Sequence, residues 1–334
     1  MFKGIAAEIA GIGAYVPEKI LSNADLEKMV DTSDEWITTR TGIKERRIAP
    51  EGVATSDMMA KAAEIAVKMA GIDVSEIQLV IGCTATPDMD FPSSACLVQK
   101  KLGIKNAGAF DLEAGCSGFL YGLSIASQFI ATGSMDTILV LGGETLSRIQ
   151  NWEDRATCVL FGDGAGAAVV RAGKEGGGVL NFHLSADGSF GDALKLPAGG
   201  SAMPPTEKTV REKLQTVHMD GREVFRQAVT KMTESAQKAL EELNMSVDQI
   251  DYFIPHQANI RIIESVGKKL GIPEEKTVVN LQKYGNTSCA SLPIALYEAV
   301  KDGRVKKGDT ILMTAIGAGL AWGAIVMRMG DIKA

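Results

Sequence analysis

The 334-residue sequence is poor in the residues that build metal and redox sites: it has three histidines and five cysteines, and no two cysteines are spaced as CxxC. That scarcity offers neither a zinc-ligand pattern nor a disulfide framework. A GK[ST] phosphate loop is also missing. Phe161-Gly162-Asp163-Gly164-Ala165-Gly166 misses the GxGxxG spacing, and Gly11-Ile12-Gly13 has no helix signal behind it, so a nucleotide-binding fold is not indicated. The first twenty residues have apolar runs too short and flanks too mixed for a signal peptide or membrane anchor. Basic residues are outnumbered 35 to 41, a net charge of -6, which argues against nucleic acid as the main ligand. We therefore expect a cytoplasmic chain with reduced thiols. What is present is 46 % apolar and 23 % charged residues, enough to bury one large or two medium cores.

Short β-branched runs alternate with longer segments of helical period, the pattern of an α/β fold with mostly parallel strands. Strands are expected over 77–83, 109–112, 137–141, 158–170, 250–254, 310–314 and 323–328, and helices over 57–70, 117–131, 222–243, 259–270 and 291–301. The chain also repeats itself. Residues 74–81 (VSEIQLVI) lie over 247–254 (VDQIDYFI), and 136–139 (DTIL) over 309–312 (DTIL), both at an offset of 173. At that offset Cys116, Leu123 and Ala126 fall on Cys289, Leu296 and Ala299. The helix after Cys116 is apolar on nearly every face, so it belongs in the interior. Two equivalent halves, 1–172 and 173–334, each supplying a buried helix, imply central helices between two sheets with further helices outside, a five-layered sandwich.

Chemistry-bearing residues gather at few points. Cys116, in Gly115-Cys116-Ser117-Gly118, opens the buried helix, where unpaired N–H groups and the helix dipole favour a thiolate. An inert buried cysteine satisfies the same position. His256, in Pro255-His256-Gln257-Ala258-Asn259, follows an expected strand at the end where α/β folds place ligands, and matches Cys83 in the repeat. Asn286, in Tyr284-Gly285-Asn286-Thr287-Ser288, is either a turn residue or a neighbour of the Cys116 junction. Gly317-Ala318-Gly319 is a small-residue turn that can bring a backbone N–H to a substrate. His183 and His218 lie in polar or irregular surroundings and read as structural or surface residues.

Taken together, these segments resemble the β-ketoacyl-acyl-carrier-protein synthase III family, initiating condensing enzymes of type II fatty-acid synthesis. The resemblance spans nearly the whole chain and includes Asp31-Thr32-Ser33-Asp34-Glu35-Trp36-Ile37, Arg40-Thr41-Gly42-Ile43, Asp154-Arg155 and Gly221-Arg222-Glu223-Val224-Phe225 beside the motifs already named. It implies a thiolase-like αβαβα fold and a Cys-His-Asn triad of Cys116, His256 and Asn286. Thiolases use a second cysteine and elongating condensing enzymes a second histidine in place of Asn286.

The implied reaction condenses a primer acyl-CoA with malonyl-acyl carrier protein and needs no cofactor or metal. Backbone N–H groups of Cys116 and Ala318 would hold the oxyanion. The resemblance places Thr32, Trp36, Arg40, Arg155 and Arg222 at CoA, with Trp36 and Arg155 sandwiching the adenine. Arg226, Gln257, Arg261, Lys268 and Lys269 would face the carrier protein, and Phe91 would cross a homodimer interface into the partner's acyl pocket. Two positions depart from the commonest pattern: Ile316 stands where many members have Phe, and Ala318 where many have Gly. The rival readings are a type III polyketide-like condensing enzyme and a cysteine hydrolase. Neither primer length nor branching follows from the sequence.

Overall fold

The computed structural model describes residues 5–173 and 177–332. Two sheets carry the architecture. The first has five strands, β1 (Ala7–Tyr15), β2 (Leu79–Cys83), β3 (Gly108–Leu112), β4 (Thr137–Glu144) and β5 (Gly164–Ala172), in the order β1-β5-β4-β2-β3. The second has four, β6 (Gly178–Ala186), β7 (Tyr252–Pro255), β8 (Thr310–Gly317) and β9 (Ala321–Arg328), in the order β7-β8-β9-β6. Read from the other end, β2-β4-β5-β1 repeats as β7-β8-β9-β6, and β4 and β8 stand 173 residues apart at both ends. Among the described residues β3 has no counterpart strand in the second sheet; a single bridge between Phe253 and Thr277 stands in its place.

Parallel pairing is confined to β2 with β3 and β4, and to β7 with β8; the remaining ladders are antiparallel. Both sheets are therefore mixed, where the alternation of elements predicts mostly parallel strands. The reason is local. β8 and β9 are joined by a short turn at 318–320 with no helix to carry the chain back, so they must run antiparallel. The expected strand over 158–170 is also shorter than predicted. Asp154 caps a helical turn, Arg155–Cys158, by accepting the Ala156 N–H at 3.0 Å, and the strand begins only at Gly164.

Helices complete the layers. α1 (Asp34–Thr41) lies in an excursion beside the sandwich; α2 (Thr55–Ala70) and α3 (Ser94–Leu102) cover the outer face of the first sheet. α4 (Gly118–Ala131) and α7 (Ser291–Lys301) lie between the sheets, where Phe119, Leu123, Ala126, Leu292, Leu296 and Ala299 form one core with both inner faces. α5 (Gly221–Glu241) and α6 (Ile260–Leu270) cover the second sheet. Burying α4 and α7 on all sides is what brings their N-termini, one from each half, to the centre of the molecule. Among the described residues no helix is long and apolar enough to cross a membrane.

Candidate active site

Both central helices begin with a 3-10 turn, Gly115–Ser117 before α4 and Ser288–Ala290 before α7, again 173 residues apart. The turns share an unusual backbone: Gly115 has φ 52° and Ser288 φ 51°. Glycine adopts that conformation freely and serine does so at a cost. Gly115 is further required because a Cβ there would stand 2.5 Å from the Ala318 nitrogen. A Cβ on Gly317 would meet the Cys116 nitrogen at 2.3 Å. The 317–318 segment thus lies directly on the Cys116 backbone, and Ala318 keeps φ outside the positive range, so its N–H is presented as a glycine's would be.

Cys116 is 8 % exposed and lies where two cavities meet. One, of about 110 Å³, is lined by Cys116, His256, Asn286, Phe225, Met219 and Ile316. The other, of about 360 Å³, is lined by Cys116, Ser288 and Ala318 and by the apolar side chains of Leu146, Phe161 and Val217. The structure therefore brings His256, Asn286 and Ala318 to the thiol, and it puts Ile316 in the wall of the smaller cavity.

Each polar group is oriented by its neighbours. The His256 N–H continues the β7–β8 ladder by donating to Thr314 O at 2.8 Å, and His256 Nδ1 lies 2.7 Å from Ser291 Oγ at the start of α7. Ser291 Oγ also accepts the Gln257 N–H at 3.4 Å; with the serine proton directed to Nδ1, the imidazole carries its own proton on Nε2. Asn286 is clamped by backbone bonds: its N–H donates to Leu160 O at 2.8 Å and its C=O accepts from Gly162 at 3.0 Å. Asn286 Oδ1 accepts the Ser288 N–H at 2.8 Å, which leaves the NH₂ as the free end of the amide. In that tautomer both side chains offer a neutral donor.

Protonation departs from the helix-start expectation. Burial pushes the Cys116 thiol up to about 12, against the downward pull of a hydrogen bond with the Ser288 hydroxyl. Burial also pushes the His256 imidazole down to about 3. Desolvation outweighs the helix end, and the resting pair is thiol and neutral imidazole instead of an ion pair.

Two expected contacts, Arg222 and Arg261, flank the smaller cavity. Arg222 is exposed in the first turn of α5, whose Gly221, Val224 and Phe225 line it. Arg261 lies over the Phe225 ring at 5.7 Å, and Lys268 and Lys269 are exposed in the last turn of α6. Arg226 is paired with Glu223 at 2.7 Å. Gln257 is a correction: it is 1 % exposed, its amide donates to Pro255 O and Val278 O, and its oxygen accepts from Asn280 N–H. With every polar atom used internally it braces the His256 segment and cannot reach a docked protein.

Trp36, Arg40 and Arg155 also meet, with Arg155 4.9 Å and Arg40 5.3 Å from the indole centroid. A base between Trp36 and Arg155 needs two contacts of about 3.5 Å each, so Arg155 must swing aside for adenine to enter. Thr32 Oγ1 is buried there without a protein partner.

The family model described as 3-oxoacyl-[acyl-carrier-protein (ACP)] synthase III matches residues 110–188, and its C-terminal companion residues 240–329. The β-ketoacyl-[acyl-carrier-protein] synthase III of Caldanaerobacter subterraneus subsp. tengcongensis is 55 % identical, covering 98 % of this chain and 99 % of that protein. The chain belongs to the β-ketoacyl-acyl-carrier-protein synthase III family. Its synthase III relative from Clostridioides difficile is 51 % identical over 96 % of this chain and 98 % of its own. The crystal structure of the Aquifex aeolicus synthase III superposes with a TM-score of 0.90 at 49 % identity, covering 97 % of this chain and all of that one. The five layers are thus the thiolase-like sandwich.

Sequence reasoning passed over Ser288, Ser291 and Glu144, all three buried around the synthase III site. The repeat was the available signal, since it lays Ser288 on Gly115, Ser291 on Gly118 and Glu144 on Gly317.

Proposed function

We propose that Cys116, His256 and Asn286 carry out the decarboxylating condensation of a primer acyl-CoA with malonyl-acyl carrier protein, the first condensation of fatty-acid synthesis. Membership in the synthase III family makes the chain an acyltransferase. The observation that supports the residue assignment is the position of Cys116 between the two cavities, with His256 and Asn286 lining one of them beside it.

The acyl-CoA thioester enters the smaller cavity, with the nucleotide end near Thr32, Trp36, Arg40, Arg155 and Arg222. Cys116 sulfur attacks the carbonyl, and the N–H groups of Cys116 and Ala318 hold the oxyanion. CoA leaves, and the acyl chain stays in the 360 Å³ apolar cavity. Malonyl-carrier protein docks against Arg222, Arg261, Lys268 and Lys269, with Arg226 engaged by Glu223. His256 Nε2–H and Asn286 Nδ2–H then donate to its thioester oxygen, so that loss of CO₂ leaves a stabilised enolate. Its carbon attacks the acyl-Cys116 carbonyl and releases β-ketoacyl-carrier protein. These steps use side-chain and backbone groups of the chain without a metal or cofactor. Five unpaired cysteines suit a reducing cytoplasm.

A homodimer completes the site in this reading. β3 is an edge strand, and Phe91 in the loop before α3 is 85 % exposed, a large apolar side chain suited to insertion into a second copy. Intact-mass analysis after incubation with a panel of acyl-CoAs tests the assignment. Wild type gains the acyl mass and Cys116→Ala does not; no gain in wild type, or equal gain in both, overturns it.

A further inference from the structure

We propose that the Glu144 carboxylate, acting through the Ser288 hydroxyl, takes the proton that Cys116 sheds on acylation and returns it when the acyl group leaves. The proposal rests on the reading of Cys116 as acyl acceptor. Glu144 ends β4 and is fully buried. Four donors converge on it, Thr86 Oγ1 at 2.5 Å, Ser288 Oγ at 3.0 Å, Thr84 Oγ1 at 3.1 Å and Ala85 N at 3.2 Å, while Cys289 Sγ, 3.2 Å away, has Cys83 O nearer at 2.9 Å. That is the complement of an ionised carboxylate, which can only accept. Burial raises its pKa, as a proton acceptor for a thiol requires.

Ser288 is the link. Its hydroxyl donates to Glu144 Oε1 at 3.0 Å, and Ser288 shares the wall of the larger cavity with Cys116. The positive φ of Ser288 and its N–H bond to Asn286 Oδ1 fix the hydroxyl in that place. His256 is the poorer acceptor, because burial has depressed it to about 3. The groups facing Glu144 are the thiols of Cys83, Cys116 and Cys289; Glu113 faces Cys116, and Asp111 faces Cys83.

The repeat gives the arrangement a rationale. Ser288, Cys289 and Glu144 are the counterparts of Gly115, Cys116 and Gly317. At the reactive junction the third position, Gly317 of the C-terminal half, is a bare glycine pressed on the nucleophile's backbone, and at the mirrored junction it is Glu144 of the N-terminal half, which carries a carboxylate.

The protons balance. As sulfur attacks, the Cys116 proton moves to Ser288 Oγ, while the Ser288 proton moves to Glu144 Oε1. The C–S bond to CoA breaks, and the CoA thiolate is protonated from solvent. When the enolate displaces Cys116, the sulfur leaves as thiolate and Glu144 returns the proton through Ser288 only after the C–S bond has broken, so the rate of discharge does not depend on the relay; the cycle consumes one solvent proton.

Single-turnover acylation followed by rapid-quench intact mass, from about pH 6 to about pH 10, tests the relay with two variants. Glu144→Gln and Ser288→Ala should each slow acylation about 100-fold at neutral pH and regain about tenfold per pH unit as bulk base takes over. Once acylated by long incubation, both should discharge onto malonyl-carrier protein at the wild-type rate. Ser288→Ala leaves the other three donors on the carboxylate, so it decides the matter if Glu144→Gln does not fold. Acylation of a folded variant at the wild-type rate and pH profile overturns the proposal. So does an equal loss in both half-reactions, the sign of a structural role. A wild type that takes up no acyl mass overturns the nucleophile assignment instead.

Discussion

At pH 7 the His256 imidazole is neutral, because burial holds its pKa near 3 against an ordinary value of 6.5. As pH falls below 6.5, the unfolded chain takes up a proton that the native state refuses. Native stability is therefore lost between pH 6.5 and about 3, at about 1.4 kcal/mol per pH unit from this residue. Urea titrations at about pH 7.5 and about pH 5 should show wild type losing roughly 2 kcal/mol more than His256→Gln; equal losses would contradict the buried neutral ring. Cys116, His256 and Asn286 could be picked out in the sequence because each sits at the end of an element within a distinctive motif. Glu144 and Ser288 could not. Glu144 looks like the polar end of an apolar strand, and its Ser288 partner lies 144 residues away.

At the scale of elements, the close approach of the β8–β9 turn to the start of α4 makes a sharp demand. A Cβ at Gly317 would face only backbone, the Cys116 nitrogen at 2.3 Å and Ala114 O at 2.8 Å, with no flexible side chain to yield. Gly317→Ala should lower stability by about 1–3 kcal/mol and displace the oxyanion donors. Thermal melting and acylation rate should fall together, and an unchanged melting temperature would contradict the packing. α6 makes a separable demand, since charge reversal at Arg261 and Lys268 should raise KM for malonyl-carrier protein while leaving acylation by acyl-CoA intact. Unaltered turnover with the carrier protein would contradict a docking role. The long helices were legible because their apolar stripes repeat over several turns, and α7 matches its expected span end to end. β1, β6 and α3 were not: β1 contains Gly11 and Gly13, which blur strand alternation, yet a Cβ at either would strike α2 backbone within 2.1 Å. Those glycines answer to a helix packed on the sheet, a contact no local pattern reports.

Over the whole molecule, one offset of 173 organises the fold, and the two halves differ where the chemistry differs. The repeat was visible because strand and turn sequences survive in both halves. The mixed pairing of the sheets was hidden because it depends on which strands become neighbours. Phe91 and the β3 edge predict a dimer, so light scattering should give twice the 35.4 kDa chain mass. Phe91→Ala should shift primer preference towards longer acyl-CoAs; a monomer of unchanged preference would contradict the shared pocket. The most direct test of the account is a chase. Isolated acyl-enzyme is mixed with malonyl-carrier protein, and enzyme, carrier protein and released CO₂ are measured together. The account predicts that the acyl mass leaves Cys116 and reappears on the carrier protein as a β-ketoacyl group, with one CO₂ for each transfer. Release of the acyl group as free acid, with no extended product on the carrier protein, would contradict it.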